Sequence, residues 1–317
     1  MALPAASPSE RTKHGLPSPA AQENSEASGT GKQAGPPTAA FGAAVSGVSA
    51  PLLSCGYYEE ASFLQSVNGI EAYPAKGDLR AGVVPHHLLA GRMIAAFFAR
   101  AAQNETPYES VILVGPSHYA TQNRITTARA GWKTPFGTLD NNLEFTRRLT
   151  ENGQIAAAAD EAAMEKDHAI AGLIPYVQYY LPGVCVSMVL LQNTAEEERV
   201  QALASEIAGY LKEKRALLVC SIDFSHYLMP EQTAQRDEET RRAIEESDYI
   251  AVSHFNDDHV DSPHSLKVFM KNAEAFGQVH FLDQSSSDRI LKLPPGDPVY
   301  QEGTTSYFVL AALLQGQ

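Results

Sequence analysis

Three short, mainly apolar runs separated by helical segments are the feature that most constrains the fold of this chain. They lie at residues 80–86, 110–118 and 216–222, and segments with helical periodicity lie between them, clearest at 88–103, 168–180 and 196–214. Continuous apolar runs are typical of strands that are covered on both faces, because a half-exposed strand alternates apolar and polar residues. The alternation therefore predicts an α/β fold with a mostly parallel central sheet flanked by helices.

The first 55 residues differ from the rest in composition. Phe41 is their only aromatic residue, and seven of the 19 prolines lie there. A segment of this kind buries too little apolar surface to offset the entropy lost on ordering. We therefore expect residues 1–55 to be a disordered tail or linker and residues 56–317 to form a single α/β domain.

The end of this segment contains a weak export signal. Leu52-Leu53-Ser54-Cys55-Gly56 resembles a bacterial lipobox, in which a lipid on Cys55 would anchor the protein to a membrane. The apolar stretch before it is diluted by Gly and Ser, and no cluster of Lys and Arg precedes it, which favours a linker and a cytoplasmic protein. Three scattered cysteines also favour a reducing compartment over a disulfide framework.

Charge and missing motifs exclude several classes of function. The chain carries 24 Lys+Arg against 37 Asp+Glu, a formal net charge of −13. Nucleic-acid binding is not expected, because phosphate contacts need clustered cations. The sequence contains no run of about 20 apolar residues, so an integral membrane span is not expected. GxGxxG, Walker A and GxSxG motifs are absent, which argues against dinucleotide, NTP and α/β-hydrolase sites.

Histidines follow the predicted strands at their C-terminal ends. His86 follows the first run, His118 the second, and Asp-Phe-Ser-His at 223–226 the third, while His168 opens a helix. Ligands bind at the carboxyl ends of strands in open α/β sheets, so we expect these side chains to converge. Two imidazoles and a carboxylate are the ligands of many non-haem iron sites, and imidazole also suits Zn and Cu.

Other interpretations of the same residues remain open. A single histidine at a strand end is more often hydrogen-bonded in a loop than bound to a metal. Acyl transfer by Ser117 or Ser225 lacks an oxyanion-hole motif, and neighbouring Ser225 and His226 point to opposite sides of an extended chain. The segment 257–264 holds three aspartates and two histidines. This segment could form a second metal cluster, but the interpretation that we favour is an exposed helix-capping loop.

The order and spacing of six segments resemble the Memo family, whose bacterial members are often called AmmeMemoRadiSam system protein B. The resemblance covers roughly residues 70–314. The matching segments are VPH at 84–86 with AG at 90–91, LVGPSH at 113–118, TP at 134–135, DHAI at 167–170 with LIPY at 173–176, SIDFSH at 221–226, and TSY at 305–307. The resemblance implies a fold similar to the class III extradiol dioxygenases, which use non-haem iron.

The resemblance also implies a set of metal ligands. Two histidines of the family pocket match His86 and His118, and a third ligand position, a cysteine in animal members, matches Ser225. Serine is a poor metal ligand beside a thiolate or carboxylate. The sequence therefore favours either a changed ligand set that Asp223 or His226 completes, or a pocket that no longer performs the chemistry of the family. We assign His86, His118 and Ser225 to the metal, and His168, Asp223 and His226 to catalysis.

Two further departures from the family pattern concern this pocket. Polar positions of the family helix look like Ala171 and Leu173 here. A Cys-Gly pair before the late helix is replaced by Asp261-Ser262. The chain thus keeps the two-histidine half of the family site and changes parts of the rest.

Two functions fit these observations. The first is a non-haem metal oxidoreductase or redox metalloprotein that uses a divalent ion of Fe, Cu or Zn. The second is a non-catalytic binding module that uses the same pocket for a small anion or a peptide group. A homo-oligomer is compatible with either function.

Overall fold

The computed structural model of the chain describes residues 51–119, 121–294, 297 and 303–314. Its strands are β1 (Leu52–Ser54), β2 (Asp78–Val84), β3 (Ser110–Pro116), β4 (Ile125–Thr127), β5 (Gly131–Thr134), β6 (Gly137–Leu139), β7 (Ala158–Ala159), β8 (Cys185–Leu191), β9 (Ala216–Ser221), β10 (Val279–Ser286) and β11 (Ser306–Leu314). Its helices are α1 (Glu60–Val67), α2 (Gly91–Ala102), α3 (Leu143–Glu151), α4 (Glu161–Lys166), α5 (His168–Ala171), α6 (Ile174–Tyr180), α7 (Glu197–Glu213), α8 (Pro230–Glu245), α9 (Tyr249–Ser253), α10 (Pro263–Ala273) and α11 (Ser287–Leu291). None of these described helices has both the length and the apolar composition needed to cross a bilayer.

One eight-stranded sheet organises the domain, in the order β10-β11-β2-β9-β3-β8-β4-β7. The four central strands, β2, β9, β3 and β8, are mutually parallel. Antiparallel pairing appears only toward the edges, where β11 joins β2 and β10, and β4 joins β8. The predicted α/β class is confirmed, and the three apolar runs of the sequence form the adjacent strands β2, β9 and β3. A separate three-stranded sheet has the order β1-β5-β6.

Alternate residues of the central strands enter two apolar cores, one on each face of the sheet. In β3, Val111 and Leu113 join one core, whereas Ile112 and Val114 join the other. Helices α2 and α6 supply the first core, and α3, α7 and α10 supply the second. Each such side chain contributes roughly 1.5–3 kcal/mol when fully buried. Burial on both faces explains why these runs lack polar alternation.

The N-terminal boundary of the domain differs from the expected one. Leu52–Ser54 form β1, which pairs in parallel with β5, and Leu53 is buried in the first core. Cys55 packs against the same core, and its burial raises the pKa of the thiol to about 11. The prediction of a disordered tail is therefore wrong for residues 52–55, because β1 pairs with β5 and the apolar side chain of Leu53 is buried in the first core. The expectation for residues 1–50 lies outside the described residues.

A glycine lets the start of α5 approach the central sheet. A Cβ atom at Gly115 would lie 3.2 Å from the Cβ of Ala169 and 3.2 Å from the Cβ of Ser221. This spacing is tighter than ordinary van der Waals contact. Because Gly115 has no side chain, the ends of β3 and β9 and the start of α5 come together, and this is where the histidines lie.

Candidate metal centre

Three imidazoles meet where the parallel strands end. His86 follows β2, His118 follows β3, and His168 is the first residue of α5. One ring nitrogen from each lies within 4.8 Å of the others. The His118 and His168 rings are stacked with centroids 4.1 Å apart, and the His86 ring stands nearly perpendicular to both, at 5.1 and 5.2 Å. The topology of the sheet thus produces the convergence that the sequence predicts.

The hydrogen bonds of His86 determine which of its nitrogens is available. Its Nδ1 lies 3.1 Å from the Ser221 hydroxyl oxygen, and that hydroxyl donates its hydrogen to the Ala169 carbonyl at 2.5 Å. The Ser221 oxygen can therefore only accept, so the proton of His86 is on Nδ1 and its Nε2 carries a lone pair. Burial lowers the pKa of His86 well below its usual value, and His118 adds to the effect. The imidazole is neutral.

His118 is held in the same way by a carboxylate. Its Nδ1 lies 2.8 Å from Asp167 Oδ1, and its backbone N–H donates to Asp167 Oδ2 at 2.8 Å. Burial by itself would raise the pKa of Asp167, but the hydrogen bonds that Asp167 accepts from His118 and from the Ala169 backbone outweigh it, and the pKa is lowered. An ionised Asp167 accepts from Nδ1–H and leaves the Nε2 of His118 with its lone pair. Carboxylates hold metal-binding histidines in this manner in many proteins.

Two carboxylates face the available nitrogen of His86. Asp261 Oδ2 lies 3.3 Å and Asp223 Oδ2 3.6 Å from His86 Nε2, while Asp223 Oδ1 accepts the backbone N–H of His86 at 3.1 Å. The Oδ1 of Asp261 is buried and has no hydrogen-bond partner among the described residues. Burial raises the pKa of Asp261 well above its usual range, and the charge of Asp223 adds to this.

A divalent cation fits this donor set. A nitrogen lone pair beside two carboxylates is repulsive unless a proton or a cation lies between them. Neutral imidazoles and a carboxylate are borderline and hard donors, which suit Fe, Zn or Mn. His86, His118 and His168 form a group that could hold such an ion, and Asp261 Oδ2 lies beside the available nitrogen of His86.

His168 occupies a more open position than the other two histidines. Its side chain is 37% exposed, and its Nδ1 is 4.0 Å from Asp167 Oδ1. Burial, with the neighbouring His118, lowers the pKa of His168 to about 4. The planes of His118 and His168 differ by only 27°. Stacking directs the in-plane lone pairs of the two rings side by side, which makes His168 a less favourable partner of His118 at one ion, although the three ring nitrogens lie within 4.8 Å of one another.

Ser225 is not at the cluster. Its hydroxyl donates to Asp237 Oδ1 at 2.7 Å, and β9 ends at Ser221, so the chain bends before Ser225 and does not stay extended. The structure does not support the expected ligand role of Ser225. Asp223, two residues earlier, does reach His86, which agrees with its expected place in the site.

His226 borders the site, and its ring lies against the ring of Tyr227 with centroids 5.6 Å apart. Its backbone N–H donates to the Asp257 carbonyl at 2.9 Å, and its Nδ1 is buried with no hydrogen bond among the described residues. Burial lowers the pKa of His226, and the negative charge of Asp223 opposes the fall. A neutral imidazole close to Asp223 is compatible with the catalytic role that the sequence suggested.

Sequence reasoning missed Asp261. We expected residues 257–264 to be an exposed capping loop, but the Asp261 side chain is only 11% exposed and its backbone N–H donates to the Asp223 carbonyl at 3.1 Å. Asp261 lies just before α10 and does not follow a strand, so the strand-end pattern does not predict its place in the site. The available signal was the replacement of the family's Cys-Gly pair by Asp261-Ser262, since thiolate and carboxylate both bind metals.

Fold and site together define an α/β protein with a histidine–carboxylate centre at the C-terminal ends of its parallel strands. The model of the family described as Memo-like protein matches residues 58–292. This chain belongs to the Memo-like family.

Known relatives agree with this assignment, and a solved structure shares the fold. A MEMO1 family protein of Pyrobaculum aerophilum is 29% identical over 168 residues, 51% of this chain and 58% of that protein. One of Methanosarcina mazei is 27% identical over 166 residues, 51% of this chain and 60% of that protein. The matches thus span less than two thirds of these relatives. The crystal structure of an uncharacterized protein from Escherichia coli K12 aligns with a TM-score of 0.51 at 11% identity. That alignment covers 74% of this chain and 99% of that one, and it supports the fold.

Proposed function

We propose that this Memo-like protein binds a divalent cation through His86, His118 and Asp261, and that it is a non-haem metal oxidoreductase or redox metalloprotein. The observation that carries the proposal is that the Nδ1–H groups of His86 and His118 both donate hydrogen bonds within the protein. Ser221 accepts from one and Asp167 from the other, so the Nε2 lone pairs of His86 and His118 both remain available, and that of His86 lies 3.3 Å from Asp261 Oδ2. Fe or Zn suits these donors best, and Cu is the third candidate.

The surrounding residues support a catalytic role. A bound Fe(II) ion would supply Lewis-acid and one-electron redox chemistry. His168 is neutral, partly exposed and stacked on His118, so it can accept a proton from a substrate at the mouth of the site. Asp223 holds the backbone of His86, and Asp167 holds both the backbone and the ring of His118. These contacts keep the donors in place before a ligand arrives.

The binding-module alternative receives less support. An anion site needs positive charge, but burial lowers the pKa of His86, His168 and His226. Neutral imidazoles flanked by the carboxylates of Asp223 and Asp261 attract an anion poorly.

Metal analysis of protein purified without a His tag tests the proposal. The wild-type protein should contain close to one Fe, Zn or Cu per chain, and His86→Ala/His118→Ala should contain almost none. His254→Ala/His280→Ala is the matched control, because it removes two histidines outside the cluster. EPR of Fe(II)-loaded protein exposed to nitric oxide then tests for an open coordination position. Equal metal content in the two double variants would refute the ligand assignment.

We also propose a cytoplasmic location. Support comes from Cys55, which packs against the first core directly after β1, so that a lipid there would have to displace packed residues. Labelling of Cys55 by palmitate, or globomycin-sensitive processing at that residue, would contradict this location.

A further inference from the structure

A buried carboxylate on α8, Asp237, joins two segments that reach the metal centre. Its Oδ1 accepts hydrogen bonds from the hydroxyls of Ser225 at 2.7 Å and Ser306 at 2.6 Å. Its Oδ2 accepts from the Gln284 side-chain amide at 3.0 Å. The Asp237 carboxylate therefore accepts hydrogen bonds from three neutral donors, which come from three different parts of the chain.

The two serines are also paired through their backbones. The Ser306 N–H donates to the Ser225 carbonyl at 2.9 Å, and the Phe224 N–H donates to the Ser306 carbonyl at 3.0 Å. The carboxylate of Asp237 thus closes a ring of hydrogen bonds that holds the start of β11 against residues 223–226. Hydrogen bonds to a charged acceptor are stronger than hydrogen bonds between neutral groups.

This ring lies two residues from Asp223, which is bonded to the backbones of two proposed ligands. Asp223 accepts the backbone N–H of His86 through Oδ1 and that of Asp261 through its carbonyl, at 3.1 Å in both cases. A shift of Ser225 would therefore move Asp223, and with it the segment that presents Asp261. Ser306 is followed by Tyr307, whose hydroxyl lies 2.6 Å from His87 Nδ1.

We propose that Asp237 is a positioning residue for the metal centre. Its bonds to Ser225 and Ser306 fix the 223–226 segment and thereby set the places of Asp223 and Asp261. The role rests on the proposed metal site, and Asp237 itself touches neither the histidines nor an ion.

The surroundings of Asp237 make its removal testable. A cavity of about 120 Å³ borders it, lined in part by Thr233 and Arg241. This volume has room for water, so water can replace a shortened side chain. Asp237→Asn keeps an oxygen for the two serine hydroxyls. Thr233→Val is the matched control, because it changes the same cavity at a hydroxyl that has no partner among the described residues.

The test uses Co²⁺ as the probe on the full chain, with affinity and the visible ligand-field spectrum as readouts. Asp237→Ala should weaken Co²⁺ binding about 10-fold, the lower end of the effect of outer-shell partners, and should shift the spectrum. Asp237→Asn and Thr233→Val should keep the wild-type spectrum and bind within about threefold of wild type. Should Asp237→Ala not fold, Ser225→Ala/Ser306→Ala removes the same two hydrogen bonds and should give the same shift.

The outcomes separate this inference from the proposed function. Wild-type affinity and spectrum in Asp237→Ala would overturn the positioning role and leave the metal site intact. Equal losses in Asp237→Asn and Asp237→Ala would also overturn it, because the hydrogen bonds to the serines would then not be the cause. No binding of Co²⁺ by the wild-type protein would overturn the metal site and this inference together.

Discussion

At the scale of single residues, the centre depends on two histidine Nδ1–H groups that already donate hydrogen bonds to neighbouring residues. Ser221 and Asp167 each accept from an Nδ1–H, and this leaves the Nε2 lone pairs of His86 and His118 for a cation. Pre-set tautomers lower the cost of binding, because the rings need neither to rotate nor to exchange protons before they bind.

Asp261→Asn tests the third ligand. The substitution keeps the size of the side chain but removes the acidic group beside His86 Nε2, which a bound cation would hold ionised. Metal affinity should fall by at least about 10-fold, since changes even at outer-shell partners have effects of that size. Isothermal titration with Zn²⁺ measures it. Asp258→Asn, in the same loop, is the control and should bind as the wild type does; an Asp261→Asn protein with wild-type affinity would remove Asp261 from the ligand set.

The lowered pKa of His168 predicts a pH effect on the metal-free protein. The folded-state pKa is about 4, whereas an unfolded histidine titrates near 6.5. Between these values the unfolded chain binds more protons, so the contribution of His168 to stability falls as the pH drops through 6.5 toward 4. Relative to His168→Gln, the wild-type protein should therefore lose stability between pH 7.5 and 4.5. Urea unfolding of both proteins at the two pH values checks the sign, and an unchanged difference would contradict it.

Residue-scale reasoning from the sequence succeeded where a strand end placed the side chain. His86, His118 and Asp223 were predicted because they directly follow the strands. Ser225 was misplaced because its position depends on a bend after β9 and on Asp237, which comes from α8. Asp261 was missed because contact between two loops, rather than a local pattern, brings it to His86.

At the scale of elements, local chemistry explains a break in a helix that the hydrophobic periodicity of the sequence does not show. The sequence predicts one helix over 168–180, but the chain forms α5 and α6 with a break at Gly172 and Leu173. Pro175 lies in the first turn of α6, where its missing N–H costs nothing. The break leaves His168 on a short helix of its own beside β3.

Gly115→Ala tests how closely α5 must approach the sheet. The added methyl would lie 3.2 Å from atoms of both Ala169 and Ser221. Overpacking of this kind typically costs about 1–3 kcal/mol, and here it would also move the residue next to His168. We expect a lower urea midpoint and weaker metal binding. Gly153→Ala, where a Cβ meets nothing within 4 Å, should change stability by no more than about 0.5 kcal/mol.

Two truncations test where the domain begins. Composition predicts that deleting residues 1–50 leaves the melting temperature nearly unchanged. Deleting residues 1–55 removes β1 and the buried Leu53, so the melting temperature should fall by roughly 3–10 °C. Differential scanning calorimetry of the two proteins gives the comparison. Equal melting temperatures would show that β1 contributes little to the domain.

At the scale of the whole molecule, the site follows from the topology of the sheet. Parallel β2, β9 and β3 are neighbours, so the residues that follow them share one edge. This much was predictable, because continuous apolar runs and intervening helices indicate parallel strands. The antiparallel edge formed by β10 and β11 was not, because strand order at an edge depends on contacts between residues far apart in the chain. The family resemblance supplied the site histidines but placed the third ligand at Ser225.

Anomalous diffraction from crystals soaked in Fe(II) or Zn²⁺ tests the central claim most directly. One peak should lie about 2.0–2.2 Å from Nε2 of His86, Nε2 of His118 and a carboxylate oxygen of Asp261. His168 should lie outside the coordination sphere. A peak that includes His168 and excludes Asp261, or no peak near His86 and His118 at full soaking, would contradict the account.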